Sequence, residues 1–149
     1  NIARWLKRCP EGKVYGLDYS EVSIKKSGEY NADAVEKGQV FLFLSDILDI
    51  PLEDASVDYV SAFETVYFWS DMEKAFPEIY RVLKPGGLFL ICNESNGHDE
   101  EARHFSTIID GMNLYDIPTL EGLFKGAGFS RVEAFEDKDE PWITVIGTK

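Results

Sequence analysis

Hydrophobic and polar positions change period several times along this chain, and each change predicts an element. Ile2, Trp5 and Leu6 recur at helical spacing, so the opening residues form an amphipathic helix that Pro10-Glu11-Gly12 breaks. Residues 13–18 read as a short strand ending in an acid. Ser20 then caps a weakly amphipathic helix with Glu21 in its first turn, and Gly28 is expected to end or loosen it. Residues 39–44 are apolar on both faces, as in a strand covered by helices on each side. Residues 57–63 form another buried strand. Residues 71–83 form a helix with Met72, Ala75, Phe76, Ile79, Tyr80 and Leu83 inward, and Pro77 is expected to kink it or confine its regular part to Glu78 onward. That helix must stop near Lys84, because a residue before proline is pushed out of the α region. Gly86 and Gly87 allow a turn, and the strand Leu88-Phe89-Leu90-Ile91-Cys92 follows. Residues 93–115 read as a long polar excursion, and 119–125 as a helix stopped by Gly126 and Gly128. Residues 130–135 and 142–147 are two strands joined by a short acidic tip, which makes them antiparallel.

Alternating helices and strands imply an α/β fold. The expected architecture is a Rossmann-like, mostly parallel sheet with helices on both faces and an antiparallel C-terminal strand pair. At 149 residues the chain suits one domain, with a core that needs no disulfide or metal staple. A net charge of −12 disfavours phosphate backbones and anionic lipid, which argues against nucleic-acid or membrane partners. No apolar run approaches the ~20 residues of a membrane span. Cys9 and Cys92 lack metal-ligand spacing and read as reduced thiols of a cytoplasmic protein. Oligomeric state is not legible.

Candidate chemistry lies at strand ends, where open α/β sheets bind ligands. Asp18 ends a strand, and its two oxygens match the vicinal hydroxyls of a ribose, although a plain helix cap or a solvated acid fits the same position. Asp46, with Ile47 beside it, ends the next strand and could accept from an adenine amine, though an Asp there also suits a turn.

Five segments, in order, resemble the motifs of class I S-adenosylmethionine-dependent methyltransferases. They are Gly16-Leu17-Asp18-Tyr19-Ser20, the run from Ser45 to Leu52, Val57-Asp58-Tyr59-Val60, the run from Glu78 to Gly87, and Gly126-Ala127-Gly128-Phe129. The subgroup most resembled is that of small-molecule methyltransferases similar to the quinone-biosynthesis enzymes. The resemblance implies S-adenosylmethionine as cofactor, with Asp18 and its neighbour Tyr19 at the ribose, Asp46 and Ile47 at the adenine, and Phe63, Glu64 and Thr65 beside the methionine part. It implies a structural role for the turn from Lys84 to Gly87. The family's first strand and glycine-rich loop have no counterpart here, although in the family they directly precede a helix like that of residues 1–8. Their absence would leave the edges of the Asp18 and Val57 strands unpaired, so the expectation is a longer natural protein rather than a defective or rearranged relative of the family.

On the acceptor side the resemblance points to Tyr67, Phe68 and Trp69, whose rings could attract a sulfonium or simply fill the core. Glu94 could be a base or a loop acid. His98 and His104, among several acids, read as solvated loop residues or as candidates for metal or proton chemistry. The expected reaction is in-line methyl transfer to a small molecule, driven by positioning in a dry pocket, so no catalytic signature need be visible and no catalytic residue is assigned. A non-catalytic methyltransferase-like binding subunit is the alternative. A nicotinamide-dependent oxidoreductase fits less well, because Gly-x-Gly-x-x-Gly is missing.

Overall fold

The computed structural model describes residues 1–149, which divide into two compact units, Asn1–Pro51 and Leu52–Lys149. In the first unit, helix α1 (Ile2–Arg8) leads to strand β1 (Val14–Asp18). Helices α2 (Glu21–Tyr30) and α3 (Ala32–Glu36) then cross over to β2 (Val40–Leu44). β1 and β2 pair in parallel with Asp18 opposite Leu44, so their carboxyl ends are flush. Ser20 caps α2 through the Ser23 N–H at 3.3 Å. α2 runs through Gly28, contrary to the expected break. Its Cα faces Leu42, where a Cβ would sit 3.4 Å from the leucine methyl, an ordinary contact, and the helix carries the glycine without a break.

The second unit holds β3 (Val57–Phe63), a 3-10 turn at Val66–Phe68, α4 (Met72–Val82), β4 (Leu83–Asn93), α5 (Glu100–Ile108), α6 (Ile117–Gly126), β5 (Arg131–Glu136) and β6 (Ile143–Thr148). Its sheet order is β3-β4-β6-β5. β3 pairs with β4 in parallel, and β6 lies antiparallel between β4 and β5. The α/β architecture and the antiparallel C-terminal pair are as the sequence predicts.

Three details differ from the sequence reading. Pro77 neither ends α4 nor confines it, and the helix is continuous from Met72. Proline removes a single ladder bond there, while Met72, Ala75, Phe76, Ile79 and Val82 remain buried on one face and hold the helix to the core. Leu83 belongs to β4 opposite Val57, and an irregularity between Val57 and Tyr59 absorbs the Pro-Gly-Gly segment. Gly86 takes φ +79° in that segment, a conformation most side chains resist. The polar excursion contains α5, capped by the Asp99 carboxylate on the Ala102 N–H at 2.8 Å. Only Ala102 of this helix is buried, while Phe105 and Ile108, at helical spacing from it, lie exposed.

The core of the second unit is aromatic. Phe76, Phe89 and Phe124 are essentially inaccessible, with centroids 5.4 Å apart for Phe76 and Phe89 and 5.0 Å for Phe76 and Phe124. Phe129 joins from the end of α6, 5.0 Å from Phe124. β6 can lie beneath these rings because residue 147 is glycine: a Cβ there would fall into the Phe124 ring. On the crossover side, Arg81 bonds Glu78 at 2.6 Å, Asp54 at 2.8 Å and the Leu52 carbonyl at 2.8 Å, tying the turn before β3 to α4.

Candidate functional site

In the first unit the predicted nucleoside residues stand at the carboxyl ends of adjacent parallel strands. Asp18 is half-buried, and its Oδ1 accepts the Ser20 N–H at 2.8 Å, an Asx turn that starts α2. Ser20, not Asp18, caps the helix; the Asx turn takes one Asp18 oxygen and leaves Oδ2 for a ligand. The Ser45 N–H donates to the Asp18 carbonyl at 3.1 Å, carrying β2 forward so that Asp46 follows alongside. Asp46 is exposed and accepts the Leu48 N–H on Oδ1 at 2.9 Å, with Ile47 half-buried next to it. Tyr19 is 70% exposed, a surface flank rather than a buried contact. A carboxylate with an uncommitted oxygen at a strand end suits a ribose diol, so these residues fit a nucleoside-bearing cofactor.

In the second unit the structure links several residues that the sequence named separately. Phe63 ends β3, paired with Cys92 of β4. Glu64 follows in the left-handed region at φ +58°, where a non-glycine residue is strained, and its N–H donates to the Cys92 carbonyl at 3.2 Å. This turn brings the Glu64 carboxylate onto the Glu94 N–H at 2.6 Å. Burial raises the proton affinity of Glu64 above the ordinary carboxylate value of 4.5, the Glu94 N–H opposes this, the Glu94 charge adds to it, and the Tyr67 phenol lowers it. Tyr67 is 4% exposed, and its hydroxyl accepts the Ser95 N–H at 3.3 Å. Burial, then the negative charge of Glu64, push the phenol well above its usual range, so it stays protonated. Thr65 is exposed and precedes the 3-10 turn.

Trp69 is half-buried and packs on Phe89 at 6.3 Å and Phe76 at 6.5 Å, so much of its ring serves the core. Phe68 is 40% exposed. His98 lies 3.5 Å from Asp116, and His104 stands exposed on α5 beside Phe105.

Sequence reasoning places Asn93 with Glu94 at this end of the sheet but gives it no role, and it passes over Ser95. Asn93, the last residue of β4, is fully buried, and neither Oδ1 nor Nδ2 has a partner. Leaving a buried amide unpaired costs about 1–3 kcal/mol, so the position is a place for added polar contacts. Ser95 is also buried and donates to Asp99 at 2.5 Å, while its oxygen accepts the Gly97 N–H at 3.1 Å. At Asp99 burial pushes proton affinity up, but the Ser95 hydroxyl and Ala102 N–H outweigh it and hold the acid below its ordinary value. The available signal was a polar residue, Asn93, ending an alternation of buried apolar ones, Phe89 and Ile91.

Comparison with known proteins agrees with this geometry. A family model described as a methyltransferase domain matches residues 1–91. A sterol 24-C-methyltransferase of Aspergillus fumigatus is 28% identical over 148 residues, covering 93% of this chain and 39% of that protein. A demethylmenaquinone methyltransferase of Geobacillus kaustophilus is 38% identical over 87 residues, covering 58% of this chain and 36% of that protein. The chain thus spans less than half the length of these relatives. A phosphoethanolamine N-methyltransferase of Haemonchus contortus, solved with S-adenosylhomocysteine and phosphomonomethylethanolamine, shares the fold at TM-score 0.82 and 19% identity, over 99% of this chain and 46% of that one. With both carboxylate-bearing strand ends inside the matched span, the chain belongs to the methyltransferase-domain family, the class I S-adenosylmethionine-dependent methyltransferases.

Proposed function

We propose that the protein transfers a methyl group from S-adenosylmethionine to a small-molecule acceptor by in-line displacement. The observation that carries this reading is the methyltransferase-domain match over residues 1–91, which takes in Asp18, Asp46 and the turn at Glu64. When bound, the cofactor supplies a methyl group already activated on a sulfonium. Asp18 Oδ2 would accept from the ribose hydroxyls, while its Oδ1 stays with the Ser20 N–H and fixes the carboxylate plane. Asp46 and Ile47 would meet the adenine, with Tyr19 as an outer flank. Phe63, Glu64 and Thr65 would lie beside the methionine part. Tyr67, Trp69 and Glu94 would form the acceptor wall, in which Tyr67 is held rigid by the Ser95 N–H. Rigid placement of this kind keeps the acceptor near attack distance and excludes water.

A net charge of −12 supports a small-molecule acceptor over nucleic acid or anionic lipid. No helix is long and apolar enough to cross a membrane. Two free thiols, Cys9 and Cys92, support a reducing, cytoplasmic setting. Calorimetric titration of S-adenosylhomocysteine into the protein tests the reading. Saturable binding that weakens in Asp18→Ala is the expected result, and a folded protein that shows no binding would overturn it.

A further inference from the structure

The structure assigns Tyr67 and Ser95 a positioning role: together they hold the Glu64 carboxylate, charged and in place, for the methionine part of the cofactor. Tyr67 then acts on cofactor binding through Glu64, in addition to any place in the acceptor wall. The inference rests on the methyl-transfer reading, which puts Glu64 beside that part, and it names what fixes the carboxylate there.

Glu64 needs holding. Its backbone sits at φ +58°, a conformation that persists in a non-glycine residue only where the surroundings fix it. Two bonds between the strand ends do so. The Glu64 N–H donates to the Cys92 carbonyl at 3.2 Å, and the Glu94 N–H donates to Glu64 Oε1 at 2.6 Å. The Tyr67 phenol is the side-chain donor to the same carboxylate. Half-buried and beside the Glu94 charge, the carboxylate keeps its own charge only with such donors.

The direction of the phenol proton follows from its neighbours. The Ser95 N–H donates to the Tyr67 oxygen at 3.3 Å, and a backbone amide can only donate. The phenol proton therefore points elsewhere, and an ionised carboxylate can only accept, so Tyr67 donates to Glu64. A phenol committed in this way and 4% exposed is no base for an acceptor proton.

Ser95 is itself braced. It is buried, its Oγ donates to Asp99 at 2.5 Å and accepts the Gly97 N–H at 3.1 Å, and Asp99 in turn caps α5. Further along the same excursion the Asn113 N–H donates to the Tyr67 carbonyl at 2.9 Å. Residues 95–113 thus grip Tyr67 at both its hydroxyl and its carbonyl. The charges acting on this pair are Glu94 on Glu64 and Asp99 on Tyr67, while Arg103 acts on Asp99.

Two measurements on the same variants test this. Carboxyl carbon-13 NMR of the ligand-free protein follows the titration of Glu64, whose resonance Glu64→Gln removes. Tyr67→Phe should move its midpoint up by about one pH unit, the equivalent of one charge-assisted hydrogen bond. Calorimetry with S-adenosylhomocysteine should show about tenfold weaker binding for Tyr67→Phe and for Glu64→Gln. The double variant should bind no more weakly than Glu64→Gln alone, because Tyr67 acts through Glu64. An unmoved midpoint would overturn the positioning role, as would equal affinity in all four proteins or losses that multiply in the double variant. If Tyr67→Phe does not fold, Ser95→Ala decides by the same two readouts, since it releases the anchors of the Ser95 amide. A folded wild-type protein that binds no S-adenosylhomocysteine would overturn the methyl-transfer reading, while a moved midpoint would keep the coupling of Tyr67 to Glu64.

Discussion

Replacing Asn93 with Leu should make the protein more stable. Its carboxamide is wholly buried, has no partner on either atom, and shares its face of β4 with Phe89 and Ile91, opposite Ile143 of β6. An unpaired buried amide carries a desolvation penalty of about 1–3 kcal/mol, and an apolar side chain of similar size removes it. The branched tip of leucine does not match the planar amide, and such shape changes cost less than about 1.5 kcal/mol when neighbours can adjust. The net expectation is a gain of about 1 kcal/mol. For a chain of this size each kcal/mol moves the melting temperature by roughly 2–4 °C. Urea unfolding followed by circular dichroism, with thermal melts beside it, measures the change. An unaltered m-value ensures that stability rather than compactness is compared. Asn93→Asp is the control, since placing a charge in the same dry position should destabilise strongly. A loss of 1 kcal/mol or more in Asn93→Leu, at unchanged m, would mean that the amide makes favourable bonds in solution, and the reasoning about Asn93 would be wrong.

Further outcomes follow from other parts of the structure. Asp18→Ala should weaken S-adenosylhomocysteine binding by about 1–3 kcal/mol, the range for hydrogen bonds to a charged group, and unchanged affinity in calorimetry would remove Asp18 from the site. Gly147→Ala should destabilise by about 1–3 kcal/mol or more through overpacking, because its new Cβ would enter the Phe124 ring, and wild-type stability in urea would contradict the packing described for β6. Asp99 and Asp116 are both held below the ordinary carboxylate value of 3.8, Asp99 by Ser95 and Ala102 against burial, Asp116 foremost by Thr119. Their contribution to stability is therefore present above that value and lost as pH falls through their folded values. Glu64 has the opposite sign: raised chiefly by burial, it makes stability decline as pH rises from 4.5 through its folded value, and Glu64→Gln should flatten that limb of a stability–pH curve.

The local elements were legible where a side-chain pattern or a backbone restriction acts over a few residues. The Ser20 cap, the Lys84-Pro85 stop and the short β5–β6 connection each follow from the residues present, and each stands in the structure. The apolar run of β2 forms the expected strand, but only Val40 is buried and Phe41 and Leu44 are exposed, so it is not covered on both faces. The strand ends bearing Asp18 and Asp46 could be named for the same reason, since chain order alone puts an acid after a strand. Pro77 misled because its local penalty was outweighed by the buried face of α4, a balance that becomes visible only once the partners of that face are known. α5 escaped although Ala102, Phe105 and Ile108 recur at helical spacing, because charged and polar residues dominate the segment around them.

What tertiary structure alone decided is the set of contacts between residues distant in sequence. Glu64 meets the backbone of Glu94 thirty residues on, and Tyr67 meets Ser95 twenty-eight residues on. β6 inserts between β4 and β5, beneath the Phe124 ring, because glycine occurs at position 147. Sequence periodicity states which face of a strand is inward, but not which polar atom on that face lacks a partner. Partner atoms arrive from other strands and loops, so the isolation of the Asn93 amide is a property of the packed unit and of no segment within it.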